Sequence, residues 1–445
     1  MNETKTEELI ATDITIPKKF QASSMDKLTF ALRKFGDQQI HAVLDFNGHF
    51  DEQRIKKAVR LMLESEPVLG CRFIEHPKKP YWERMGNLDN QDYCTFVTEN
   101  DFEKDIFNFI TTPNDPREEL GIKIRIFKRN NFDTLCVKTS HALIDGGGIQ
   151  EYLVLLGKIY KELGENPNYK VIPNINGRRS VKQVLGKFNF FKKVFVFFKN
   201  MSSKPNWAFP WIGLKSEKPN YILQRFKNEK FRKIKEFGKK FDATINDMVL
   251  AAFYRAIFQI INPAPNKKLV TVVTVNLRAY LPNNKAESLC NLSSSSYPEI
   301  NYIANETFAD TLIRVRDEMK RRKKNAPGIG PALFIETVFK MNFSHVKKAI
   351  QKRFEKDLKR DATHPVFTNV GLVETNYFDF GDIKAVDGYL MTPIMNAPGF
   401  IFGLMTFNER MTMCMGYYEE SYDKKVVERF FELIKEEFER IYSEK

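Results

Sequence analysis

The stretch Lys138–Leu153, KTSHALIDGGGIQEYL, sets a histidine four residues before an aspartate and follows them with three glycines. A neutral imidazole can take a proton from an alcohol or amine at neutral pH without a large pKa shift. At this spacing His141 and Asp145 invite a His–Asp dyad. Gly146, Gly147 and Gly148 allow a tight backbone turn or the close approach of a substrate. The competing reading makes His141 a buried histidine capping the next helix, and on spacing alone the two readings weigh equally.

Other chemistries fit less well. DGGG is neither a Walker loop nor G-x-G-x-x-G, so it cradles no nucleotide. His41, His49, His76, His345 and His364 show no ligand pairing, and no metal is expected. No G-x-S-x-G elbow is present. Cys136 lies inside an apolar strand and reads as a small core residue.

Strands and helices must position these groups. DEQRIKKAVRLMLESE puts Ile55, Ala58, Val59, Met62 and Leu63 on one helix face, with Asp51 as cap. GIKIRIFK and FDTLCVKTS read as strands joined at Asn130-Asn131. The second of them runs into His141, and Ile149, Tyr152, Leu153, Leu156 and Ile159 then follow at helical spacing. The corner is thus a strand end, a glycine turn and a helix start. Thr244, with Asp247 three residues on, opens a helix that is apolar nearly all round, MVLAAFYRAI. KLVTVVTVNLR and PVFTNVGLVE read as strands, and GFIFGLMTF with RMTMCMGYY as a hairpin about Asn408-Glu409. The last helix aligns Val426, Val427, Phe430, Phe431, Ile434, Phe438 and Ile441.

The chain has 445 residues, more than one core usually holds, so two lobes are expected. Its 42% hydrophobic content and 39 Phe exclude global disorder. The net charge of +14 is spread along the chain without a nucleic-acid-binding signature. It reads as a solvated surface, and no nucleic-acid partner is expected. Five cysteines stand far apart and form no C-x-x-C pair. The N-terminus has no apolar signal segment, and no run of about 18 apolar residues occurs. A reducing, cytoplasmic setting is the expectation.

Ser140–Gly147, SHALIDGG, resembles the H-H-x-x-x-D-G motif of the CoA-dependent acyltransferase superfamily. That group includes chloramphenicol acetyltransferase, condensation domains of nonribosomal peptide synthetases, wax ester/diacylglycerol acyltransferases, plant acyltransferases and bacterial alcohol acetyltransferases. Four more segments match in family order. LDFNGHFDEQRIKKAVRLMLESEPVLGCRF is similar to its opening strand–helix–strand, and DATINDMVLAAFYRAI to the start of its second lobe. TVNLRAYLP is similar to its arginine-bearing segment, and FTNVG to a late strand. Together they span most of residues 20–442.

The resemblance implies an α/β (α+β) fold of two lobes, each a mixed sheet flanked by helices, with a tunnel between them. The expected division is an arm at 1–20, a first lobe at 21–165, a crossover at 166–220 and a second lobe at 221–445. His141 would be the base that deprotonates the acceptor, with no acyl-enzyme. Asp145 would turn away from it and pair with Arg278, Gly146 would supply the tight turn, and Gly147 with Gly148 would widen the tunnel. Ser140 stands where the family's first histidine would be, a position many members vary. The D-F-G-W-G segment of the plant branch is absent.

In LCNLSSSSYPEI, one of Ser293 to Ser296 could serve as oxyanion donor, with Ser294 and Ser295 not separable by sequence. The plain alternative is a polar strand with exposed serines. No permanent cofactor is implied. Acyl-CoA would be a co-substrate, and the acceptor an alcohol or amine, as in alcohol acetyltransferases. A carrier-protein thioester donor is the alternative, and a non-catalytic binding protein a third. Finally, KFNFFKKVFVFFKN, Lys187–Asn200, reads as an amphipathic crossover helix packed on the lobe interface. Its alternatives are peripheral contact with an anionic membrane, or an entrance for an apolar substrate.

Overall fold

Apolar residues recur with period two in the strands and near 3.6 in the helices, and the computed structural model follows both patterns. It describes residues 14–98, 101–199, 204–213, 216–373 and 377–443. In the first half, β1 (Gln39–Phe46) leads to α1 (Glu52–Ser65). Asp51 caps α1 by accepting the Arg54 N–H at 2.8 Å. The expected face, Ile55, Ala58, Val59, Met62 and Leu63, is wholly buried. β2 (Cys94–Val97), α2 (Phe102–Thr111), β3 (Ile122–Lys128), β4 (Asp133–Ser140) and α3 (Gly146–Glu165) follow. β4 is buried along its whole length, as the central strand of a sheet covered on both faces.

Of the expected arm, residues 1–13 lie outside the described residues, and Lys19–Gln21 pairs with Tyr81–Glu83. The crossover carries α4 (Phe190–Lys199). The expectation that α4 packs its apolar face on the lobe interface is corrected here. Val196 is buried, but Phe190, Phe191, Phe195 and Phe198 are exposed. Apolar residues occur on more than one face of this helix, and one neighbouring helix covers only the Val196 side.

The second half contributes β5 (Pro219–Lys227), α5 (Ile245–Ile261), β6 (Val272–Asn276), β7 (Ser293–Ser296), α6 (Phe308–Lys323) and α7 (Ile329–Val338). It continues with β8 (Val366–Val373), β9 (Asp379–Phe380), β10 (Ile383–Met391), β11 (Ile401–Phe407), β12 (Arg410–Tyr418) and α8 (Lys424–Ser443). Thr244 and Asp247 form a full capping box at α5. Asn408 and Glu409, both at positive φ, close the β11–β12 hairpin. The strand expected over KLVTVVTVNLR divides at Thr271. Lys268–Val270 pairs with Glu299–Asn301, and β6 alone enters the main sheet.

Two six-stranded sheets result. The second runs β7-β6-β8-β11-β12-β5, with β6, β8 and β11 parallel. α5 and α8 cover it through an aromatic cluster in which Phe253 meets Phe367, Phe402 and Phe430 at 5.6–5.8 Å. The first runs β9-β10-β1-β4-β3-β2, with α1 and α3 on one face. Its β9 and β10 come from the expected second lobe. Met391 pairs with His41 and Leu390 with Ala42. The chain therefore passes back into the first sheet, and the 221–445 stretch does not form a lobe by itself.

Candidate active site

β4 ends at Ser140, and two backbone bonds fix that end. The Ser140 N–H donates to the Gly121 carbonyl at 2.7 Å, and the His141 N–H to the Gln38 carbonyl at 2.8 Å. The chain then turns through Ala142–Ile144, all buried, into α3. His141 is thereby aimed into a cavity walled by both lobes. Its lining includes Ile40, His41 and Gly147 on one side, and Thr274, Ser293 and Thr368 on the other.

Asp145 is the N-cap of α3, and its Oδ1 accepts the Gly148 N–H at 2.7 Å. The same carboxylate accepts the Leu292 N–H at 2.8 Å and sits 3.0 Å from Arg278 Nη1. Arg278 reaches it from the second half, just after β6. Its Nη2 donates to the Cys290 carbonyl at 2.8 Å, and its Nε faces Glu151 of α3 at 3.0 Å. Burial opposes the guanidinium charge, but Asp145 and Glu151 outweigh it and hold the arginine pKa above its ordinary value. With these partners Asp145 is fully engaged, and the dyad suggested by spacing is not formed. Glu151 is a member of this network that sequence reasoning missed. It lies on α3 among polar positions that carry no distinguishing pattern.

The glycines act differently from the expectation. Gly146 has no positive φ, and a Cβ there would meet only ordinary contacts with Val370 at 3.5 Å. The tight-turn role assigned to Gly146 is therefore corrected, because the corner turns without a left-handed residue. A Cβ on Gly147 would fall 2.9 Å from Arg278 Nη1, and one on Gly148 2.9 Å from the Cys290 carbonyl. These two glycines admit the second lobe's backbone and arginine. A left-handed glycine does occur across the interface, where Gly371 at φ +98° shapes a bulge in β8. The bulge lets the Val370 carbonyl accept from Gln150 Nε2 at 3.2 Å.

Asn291 holds the histidine ring. Its Oδ1 accepts the Ser293 N–H at 3.0 Å, and its Nδ2 donates to the His141 carbonyl at 3.0 Å. These two bonds fix the amide's orientation. The same Nδ2 lies 3.1 Å from His141 Nδ1, which leaves Nε2 as the ring atom available to the cavity. Two tautomers compete here. If Asn291 donates to Nδ1, the proton sits on Nε2. If Nδ1–H donates to its own carbonyl, the Nε2 lone pair is free. Burial lowers the His141 pKa, and the Asp145 charge with the His141 and Ile144 carbonyls only partly oppose it. Burial therefore favours the neutral ring. Asn291 carries no sequence signal, since an asparagine before a serine run reads as an ordinary turn residue.

The serine expectation is also corrected. Ser294 Oγ donates to the Gly328 carbonyl at 2.6 Å, so its hydroxyl is already engaged. Alternation along β7 puts Ser293 and Ser295 on the other face, and Ser293, not Ser295, lines the cavity. Ser295 pairs with Tyr297.

No protein-family model matches the sequence, and no curated protein matches it. Solved structures do match over nearly the whole chain. The TRI3 trichothecene 15-O-acetyltransferase from Fusarium sporotrichioides aligns at 10% identity, covering 95% of each chain, with a TM-score of 0.71. The first condensation domain of the CDA synthetase aligns at 13% identity over 95% of this chain and 96% of that one, with a TM-score of 0.68. Polyketide synthase associated protein 5 from Mycobacterium tuberculosis aligns at 14% identity over 93% and 98%, with a TM-score of 0.63. The chain thus has the two-lobed fold of condensation domains and of this acetyltransferase, as the sequence resemblance implied.

Proposed function

We propose that the protein is an acyltransferase that moves an acyl group from acyl-CoA to the hydroxyl or amine of a small or lipid-like acceptor. The observation that carries this reading is the position of His141: a neutral imidazole at the end of β4, on the wall of a cavity lined by both lobes. With Nδ1 protonated, Nε2 takes the proton from the acceptor O–H or N–H. The acceptor then attacks the thioester carbonyl carbon. The carbonyl electrons move to oxygen, return, and expel the CoA thiolate, which recovers the proton from the imidazolium. Ser293 offers a hydroxyl on the opposite wall for the developing oxyanion, whereas the Thr274 hydroxyl is bonded to that of Thr368 at 2.8 Å. Asp145, Arg278 and Glu151 act as a brace that holds the lobes in register at this point. Much of the rate would come from holding two substrates within reach of each other.

The test is free-thiol release from an acyl-CoA panel with alcohol and amine acceptors, comparing wild type with His141→Ala. Removal of the base should cost about 10²–10⁴ in rate. Equal turnover by both proteins, or none by either across a broad panel, would remove His141 from the reaction. The condensation-domain likeness favours one second reading, a carrier-protein thioester donor, for which turnover would appear only with acylated carrier protein.

A further inference from the structure

α4 is the least protected apolar element among the described residues. Phe191, Val194, Phe195 and Phe198 recur at i, i+3, i+4 and i+7, which aligns them along one helix face. That face is in solvent: Phe191 is 81% and Phe198 75% exposed. Phe190 adds a fifth exposed apolar side chain beside it. Such a stripe on a chain with two large, well-filled cores is not a shortage of burial elsewhere. The opposite side of α4 is anchored, because Val196 is buried with Leu185, Leu277, Ile329 and Ala332. The helix is fixed in place with its phenylalanines outward.

The charges on α4 itself have one sign. α4 contains no acidic residue and carries Lys192, Lys193 and Lys199. Two of these cations lie against rings, with Lys192 Nζ 5.4 Å from the Phe188 centroid and Lys199 Nζ 5.0 Å from that of Phe195. α4 packs on α7, whose Phe334 is also exposed. α7 and the residues just after it form one wall of a separate basic cavity. Seven cationic side chains line this cavity, among them Lys27, Lys78, Lys79, Lys182 and Lys340. One carboxylate, Glu336, lines it too, and it already accepts from Ser24 Oγ at 2.6 Å and pairs with Lys182 at 3.4 Å. An apolar helix, a lysine fringe and a cationic hollow thus meet along α7.

We infer that this face docks on an anionic phospholipid bilayer. The phenylalanines of α4 enter the acyl boundary, the lysines stay at headgroup level, and the basic cavity takes headgroup phosphates. α4 has 10 residues, too few to cross a bilayer, so its own contact is interfacial. Charge complementarity selects the occupant, because an acidic surface suits the fringe and a neutral one does not. The inference is independent of the reaction proposed above.

The experiment is co-sedimentation of the full chain with vesicles of phosphatidylcholine alone, or mixed with phosphatidylserine. Wild type should bind the mixed vesicles, and bind them less in high salt. Phe191→Ser/Phe195→Ser/Phe198→Ser should lower the apparent affinity at least about tenfold. Lys78→Glu/Lys79→Glu should weaken binding to the mixed vesicles and leave the weak binding to phosphatidylcholine unchanged. An unchanged melting temperature confirms that both variants fold. Three results would overturn the inference: no binding of wild type to mixed vesicles; equal binding by wild type and the triple Phe variant; or gel filtration in which wild type is a dimer and that variant a monomer, which would assign the face to a second copy.

Discussion

The His141 corner and α4 lie about fifty residues apart in the chain and are built on opposite terms. At the corner, charged groups are buried and meet partners: Asp145 engages an arginine and two backbone N–H groups. On α4, apolar groups are exposed and meet only one another and a lysine of the same helix, although the helix itself is anchored. Each departs from the usual placement of its residue types, and each departure carries a cost that must be offset. Inside, the offset is already visible as ion pairs and capping bonds. Outside, it has to come from something that covers the helix.

The comparison can be broken by mutation, and the largest effects fall at the corner. His141→Ala should leave thermal stability nearly intact while thiol release falls by orders of magnitude. Arg278→Ala leaves the buried Asp145 and the half-buried Glu151 without their cation and should cost about 3–5 kcal/mol, read as a lowered Tm. An unchanged Tm would mean that the brace is not structural. The glycines sharpen the contrast further. Gly148→Ala forces a Cβ within 2.9 Å of the Cys290 carbonyl and should cost about 1–3 kcal/mol. Gly146→Ala, two residues earlier, has room and should raise stability by a few tenths to about 1 kcal/mol through helix propensity. Equal losses at both positions would contradict the packing described here.

His41 is the exception within the interior. It lines the same cavity and is fully buried, with only the Ile110 carbonyl nearby to favour a charged ring. Burial, helped by the Lys138 charge, lowers its pKa from 6.5 to about 3. The folded ring stays neutral while the unfolded ring takes up a proton near its ordinary value. The unfolded state therefore binds more protons between those two values, and stability falls as pH drops from 6.5 towards 3. The slope is up to about 1.4 kcal/mol per pH unit from this group. Urea titrations of His41→Gln should show a shallower acid limb than wild type over that window. The smallest effect belongs to α4, where the triple Phe→Ser variant should shift stability by no more than about 0.5 kcal/mol.

What could be read from the sequence follows the range of the contacts involved. The α1 face, the Thr244 capping box and the Asn408-Glu409 turn depend on residues within one or two turns of each other, and they stand where expected. The corner's motif was also legible, because strand end, glycines and helix start are contiguous. Asn291 and Glu151 were not, since each acts across 127 or more positions of chain through a single side chain. The serines show the limit within one strand. Four identical residues in a row hide the alternation that sends Ser293 to the cavity and Ser294 to Gly328. For α4, periodicity revealed a stripe but not what would face it, and the tempting answer, a lobe interface, was incorrect.

β10 has a consequence for how the molecule is made. Its ladder partner β1 and the neighbouring β4 leave the ribosome early, and β10 follows β4 by roughly 250 residues. At about 5–20 residues per second, that delay is roughly 12 to 50 seconds. For that time β1 presents an open row of N–H and C=O groups to whatever is near. The nascent first half is a sheet with an unfinished edge, and it needs either a chaperone or its own later sequence to close it.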